Sequence, residues 1–147
     1  MLQDQANLSV DSVSVTDAWR SLTQDPKAQL VDVRTRAEWQ FVGVPDLGSI
    51  GRSPILIEWQ SYPEGKAASD FADHCGRALR EAGADPQTDI FFLCRSGARS
   101  LSAARAMTKS GFARCHNVAD GFEGPLDRHQ HRAAGGWKVA GLPWVQG

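Results

Sequence analysis

The sequence is short of the residues that build covalent or metal-held scaffolds. Three cysteines, Cys75, Cys94 and Cys115, make an odd number with no Cys-x-x-Cys pair, which argues against a disulfide framework and against a structural zinc site. Long apolar runs are missing too. The longest, Ile55-Leu56-Ile57 and Ile90-Phe91-Phe92-Leu93-Cys94, fall far below the roughly 20 residues that span a bilayer, so no membrane partner is expected. Neither sign of charge dominates: sixteen basic against seventeen acidic side chains give a net charge of −1. Such a balance supplies no global field to hold nucleic acid, and any anion site has to be local. Residues Met1 to Val10 carry Asp4 and lack the basic start and apolar core of a secretory signal, so the cytoplasm is the expected location.

What is present is the composition of one globular domain. The 147 residues, 41% hydrophobic and 22% charged, suffice for a single core, with no internal repeat and no interdomain linker. Val13 to Val15 alternates like a short strand, with Thr16 as N-cap of a helix that carries Trp19 and Leu22 and stops before Pro26. Gln29 to Val33 is β-branched and apolar, as a buried strand should be. Thr35 and Glu38 have the spacing of a capping box for a short helix that includes Trp39. Glycine and proline make residues 43 to 66 loop, with a short strand at Ile55 to Ile57. From Ala67 to Ala82, Phe71, Cys75, Ala78, Leu79 and Ala82 recur at steps of three and four, one face of a helix stopped by Gly83. Ile90 to Leu93 reads as a buried strand that passes through a tight turn into a helix bearing Leu101, Ala104 and Met107, ended at Gly111. Cys115 to Val118 is a further strand, followed by an irregular, partly helical region and a tail over Trp137 to Trp144. Strands alternating with helices predict an α/β domain, an open, mostly parallel β-sheet flanked by helices on both faces.

The stretch with chemical content is Cys94-Arg95-Ser96-Gly97-Ala98-Arg99-Ser100. In parallel α/β sheets ligands bind beyond the carboxyl ends of strands, and here a cysteine stands at that point, before a helix N-terminus. First-turn N–H groups lack intrahelical partners and the macrodipole adds partial positive charge, so a thiolate or oxyanion is favoured there. Arg95 and Arg99 bring full charges, which predicts a thiol more acidic than a free one. Gly97 permits the tight turn, and the small Ser96 and Ala98 leave the rim open. Read without these neighbours, Cys94 is simply a small apolar residue ending a strand.

Taken together, Cys94 to Ser100 resembles the active-site loop of the rhodanese homology domain, the sulfurtransferase family. Asp32-Val33-Arg34 with Glu38-Trp39 is similar to that family's early signature, and Asn117-Val118-Ala119-Asp120-Gly121-Phe122 with Gly136-Trp137 and Gly141-Leu142-Pro143-Trp144 to its closing segment. The resemblance runs from Val13 to Trp144, and it implies a rhodanese-like single domain with Cys94 as the catalytic nucleophile. It further implies that Arg95, Ser96, Gly97, Ala98, Arg99 and Ser100 bind a small anionic sulfur donor such as thiosulfate. Sulfur would pass through a Cys94 persulfide to cyanide, a thiol or a protein, with no metal or organic cofactor. Two departures stand out. Where the family commonly has Gly-His-Ile-Pro-Gly, this chain has Val42-Gly43-Val44-Pro45-Asp46, and a polar insertion separates Gly124 from Gly136.

Two other readings use the same loop. One is a non-catalytic rhodanese-like module that binds a partner; the other is a cysteine phosphatase or arsenate reductase. The phosphatases place five residues between cysteine and arginine, whereas Cys94 and Arg99 enclose four, leaving a ring one amide smaller. His129, His131, His74-Cys75 and Cys115-His116 have no spacing that makes a compact metal site. Asp32 and Arg34 read as an ion pair pinning a strand end. Trp59 and Tyr62 are equally suited to a substrate rim or to packing, while Cys115 reads as a core strand position ahead of a resolving thiol.

Overall fold

The computed structural model describes residues 10–60, 70–125 and 135–146. Five strands form one parallel sheet in the order β1-β6-β5-β2-β4: β1 (Asp11–Val13), β2 (Gln29–Asp32), β4 (Ile55–Leu56), β5 (Ile90–Leu93) and β6 (Cys115–Val118). Among the described residues four α-helices accompany it: α1 (Val15–Gln24), α2 (Arg36–Val42), α3 (Phe71–Glu81) and α4 (Ala98–Lys109). The period-two alternation of the strands divides the core in two. Val31, Ile90 and Phe92 join Phe71, Cys75 and Leu79 of α3 and Ala103, Ala104 and Met107 of α4 on one face. Leu30, Phe91 and Leu93 join Val15, Ala18 and Leu22 of α1 on the other, together with Phe122 and Trp137. Helices therefore cover both faces, as the sequence predicts. Among the described residues no helix is long and apolar enough to cross a membrane.

Two local expectations are corrected, and part of a third lies outside the described residues. The first strand lies over Asp11–Val13, and Ser14, not Thr16, caps α1, accepting the Asp17 N–H at 3.1 Å. Pairing with the register Asp11↔His116 draws the chain into the sheet two residues early, so the helix also begins earlier. Second, α3 is described only from Phe71, and the predicted start over Ala67 to Ser69 lies outside the described residues, as do Tyr62, His129 and His131. Third, the stretch over residues 43 to 66, expected to be loop apart from Ile55 to Ile57, holds a further strand, and the tail supplies its partner. β3 (Val44–Pro45) and β7 (Trp144–Val145) pair antiparallel into a second, two-stranded sheet. Gly43 supports it with φ 107°, and a Cβ there would sit 2.7 Å from the Trp144 ring. This contact occupies the segment where the chain departs from the family's Gly-His-Ile-Pro-Gly.

Topology positions the crevice. From β2 the chain steps outward to β4, whereas from β5 it steps the other way to β6, so the connections diverge between β2 and β5. At the carboxyl ends of two such strands the loops part and leave a cleft. Asp32 pairs with Leu93 at that edge, so Val33-Arg34 and Cys94-Arg95 emerge side by side.

Candidate active site

Cys94 follows β5 directly, and the chain then turns through Arg95, Ser96 and Gly97 into α4. Gly97 is the N-cap, with φ 110°, and its N–H donates to the Cys94 Sγ at 3.1 Å. No other residue suits this position: a Cβ at Gly97 would collide with the Ala119 carbonyl oxygen, in a left-handed backbone that side chains disfavour. The Ser100 hydroxyl lies 3.2 Å from the same sulfur. The first-turn N–H groups of Ala98, Arg99 and Ser100 complete a set of donors with no acceptor inside the helix.

The underside of the loop is held by the turn after β6. Phe122 N–H donates to the Cys94 carbonyl at 2.8 Å, and the Glu123 and Gly124 N–H groups both donate to the Arg95 carbonyl at 3.1 Å. Gly121 lets the two backbones touch, since a Cβ there would stand 2.6 Å from the Cys94 oxygen. The insertion leaves and returns at one spot: a Cβ on Gly136 would lie 2.7 Å from the Gly124 nitrogen.

The two arginines differ. Arg95 is exposed, whereas Arg99 is half-buried and paired with Glu38 through two hydrogen bonds, Nη1 to Oε1 at 2.7 Å and Nη2 to Oε2 at 2.9 Å. Glu38 also accepts the Thr35 N–H at 3.1 Å, so the capping box is formed as expected and its carboxylate additionally ties α2 to α4. Burial pushes the Glu38 carboxyl up, but hydrogen bonds from Arg99 and Thr35, with the Arg99 charge, outweigh it and bring the carboxyl down to about 2. The same Glu38 bonds hold Arg99 more firmly protonated against burial, and charge on Cys94 and Asp32 acts in that direction too. The Arg99 cation thus lies within electrostatic reach of the sulfur.

Asp32 and Arg34 are the buried pair expected, with Arg34 Nη2 2.6 Å from Asp32 Oδ2, both side chains fully covered. Arg34 also donates to the Gly43 carbonyl at 2.7 Å and stacks on Phe122, 4.2 Å from the ring centre. It thereby joins the β2 end to the turn beneath the loop. Trp59 takes the packing role, edge-on to Phe71 at 4.9 Å. Cys115 is a core residue whose thiol burial pushes up to about 11, which is not the state of a resolving thiol. His74 pairs with Asp70, and His116 bridges Asp11 and Asp89; no group of three or more metal-binding side chains gathers among the described residues.

Of the loop residues named from the sequence, the structure brings Cys94, Gly97 and Ser100 into contact, leaves Arg95 and Ala98 exposed and Ser96 partly so, and turns Arg99 toward Glu38. Sequence reading missed Asn117, whose Oδ1 accepts the Ser100 hydroxyl at 2.6 Å. It also missed the partnership of Glu38 with Arg99. Local spacing carries no signal for contacts between residues so far apart in the chain.

Comparison with known proteins gives the family. The model of the STR4 middle domain matches residues 10–147. The crystal structure of Rv0390 from M. tuberculosis is 44% identical, covers 95% of this chain and 100% of its own, and superposes with a TM-score of 0.81. An uncharacterized protein of Rickettsia conorii is 40% identical over 137 residues, 93% of this chain and 98% of that one. Thiosulfate sulfurtransferase 18 of Arabidopsis thaliana is 31% identical over 114 residues, 77% of this chain and 76% of that one. With a parallel sheet shared with solved rhodanese-like domains and a cysteine loop opening α4, the chain belongs to the STR4 middle-domain family of the rhodanese-like fold.

Proposed function

We propose that the chain is a sulfurtransferase that carries sulfane sulfur as a persulfide on Cys94. The observation that carries this reading is the Gly97 N–H directed at the Cys94 sulfur, at the mouth of a helix and the carboxyl end of the sheet. The Cys94 thiolate attacks the outer sulfur of a donor such as thiosulfate; a new S–S bond forms, the old one breaks, and sulfite leaves with its electron pair. A nucleophilic acceptor, cyanide, a thiol or a protein thiol, then attacks the outer sulfur and returns Cys94 as thiolate. One S–S bond replaces another at each step, so no oxidant, reductant or cofactor enters. The first-turn amides and the Arg99 charge stabilise the anionic donor and the persulfide. Cys94 is 1% exposed, so the donor's outer sulfur has to enter past the rim of the loop, where Arg95 and Ala98 are exposed and Ser96 partly so. The kinship with a thiosulfate sulfurtransferase supports this donor class.

Phosphoryl chemistry fits less well. The ring holds four residues between Cys94 and Arg99, one fewer than the phosphatases place there, and so offers one amide fewer to a phosphoryl group. Incubation with thiosulfate followed by intact mass measurement is expected to add one sulfur atom to the wild type and none to Cys94→Ser. No gain on the wild type, or equal gain on both, refutes the proposal and leaves a binding module. Faster turnover of a phenyl phosphate ester or of arsenate would make the chain a phosphatase or a reductase instead.

A further inference from the structure

The sulfur of Cys94 stands at one end of a polar chain that is buried at Ser100 and Asn117 and reaches the surface at Ser12 on the edge strand β1. Ser100 Oγ lies 3.2 Å from Sγ and donates to Asn117 Oδ1 at 2.6 Å, and Asn117 Nδ2 points at Ser12 Oγ, 3.4 Å away. Ser100 is fully buried and Asn117 is 4% exposed, so water does not compete for these groups. A serine hydroxyl has one proton to give. While Asn117 holds it, Ser100 presents only lone pairs to the sulfur, an arrangement that accepts a hydrogen bond from a thiol and repels a thiolate. An anionic sulfur needs the opposite polarity, with Ser100 donating to it.

We propose that Asn117 is a positioning residue that competes with Cys94 for the single proton of Ser100, and so sets the balance between thiol and thiolate. When the sulfur loses its proton to solvent, Ser100 has to turn its hydroxyl from Asn117 Oδ1 to the sulfur, so forming the thiolate breaks one neutral hydrogen bond. That cost holds the sulfur toward its thiol form, with no proton passed along the chain.

The inference rests on Cys94 being the reacting sulfur of the proposed function, and its test reads that sulfur without requiring transfer. The rate of iodoacetamide alkylation of Cys94, followed by peptide mass against pH, gives a profile with a midpoint. Asn117→Val removes the competing acceptor, and its midpoint is expected about half a pH unit below wild type, the size of one neutral hydrogen bond. In a Ser100→Ala background the same substitution should move nothing. An unchanged or raised midpoint in Asn117→Val, or an equal shift without the Ser100 hydroxyl, overturns the proposal. Asn117→Ala carries the same expectation should the valine variant fold poorly. The charged groups around the loop are the same in every variant compared: Arg95, Arg99 with Glu38, Asp32 with Arg34, and Asp120 and Glu123 on the turn after β6. A chain that alkylates as expected yet takes no sulfur from thiosulfate refutes the sulfurtransferase reading alone.

Discussion

Cys94 and Cys115 share one core cluster on one side of the sheet, and they stand at its opposite ends. Cys115 opens β6 and pairs with Ile90 at the start of β5, whereas Cys94 lies just past the end of β5. Their surroundings differ in sign. At the amino end the chain arrives from the last turn of a helix, and the Cys115 thiol donates to a carbonyl, Phe112 O, at 3.4 Å. At the carboxyl end the chain enters the first turn of a helix, and Cys94 meets an N–H, that of Gly97. Burial alone raises a thiol, as it does for Cys115 and for Cys75, which it pushes up to about 12. Which end of a parallel sheet a cysteine occupies therefore decides whether it is inert filling or a candidate nucleophile.

The largest test of this contrast is selectivity. In the folded protein at neutral pH, iodoacetamide should modify Cys94 on the order of a hundredfold faster than Cys75 or Cys115, read by peptide mass. Equal rates would erase the distinction between the two ends. The next test removes the donor's geometry. Gly97→Ala is expected to destabilise by about 3 kcal/mol, combining a left-handed residue with a backbone clash, as measured by urea unfolding. Gly83→Ala is the matched control: φ is 92° there, but a Cβ would meet nothing within 4 Å, so only the conformational cost of about 1 kcal/mol should appear. The smallest effect concerns the cation beside the sulfur. Glu38 has a folded value of about 2 against an ordinary 4.5, so its contribution is complete above 4.5 and is lost as pH falls from there toward 2. Glu38→Gln should cost about 2 kcal/mol near neutrality and flatten that acid branch, measured by unfolding from pH 6 to pH 2.

The carboxyl end is the more legible of the two. An apolar run, a cysteine, a glycine and a new helical period are all local signals, and β5, the loop and α4 lie where they predict. The capping box of Thr35 and Glu38 was equally readable, because both partners sit within one turn. The two-residue strands β3 and β7 are too short to show a period, and they exist only because distant segments meet. The same limit hid Glu38 from Arg99 and Asn117 from Ser100, since each pair is made by the sheet order and not by spacing. Ser14 displaced Thr16 as the cap because strand pairing set where the helix could begin.

Among the described residues, the backbone oxygens of Cys94 and Arg95 find their partners in residues 122 to 124. On the ribosome, a nascent chain that has emerged through α4 already contains Cys94 and the helix behind it. Its loop still lacks the brace that fixes its shape. The shape of this loop, and with it the proposed chemistry at its sulfur, therefore arises late in synthesis, after the segment following β6 has docked, and a truncated product would carry the cysteine in an unbraced loop.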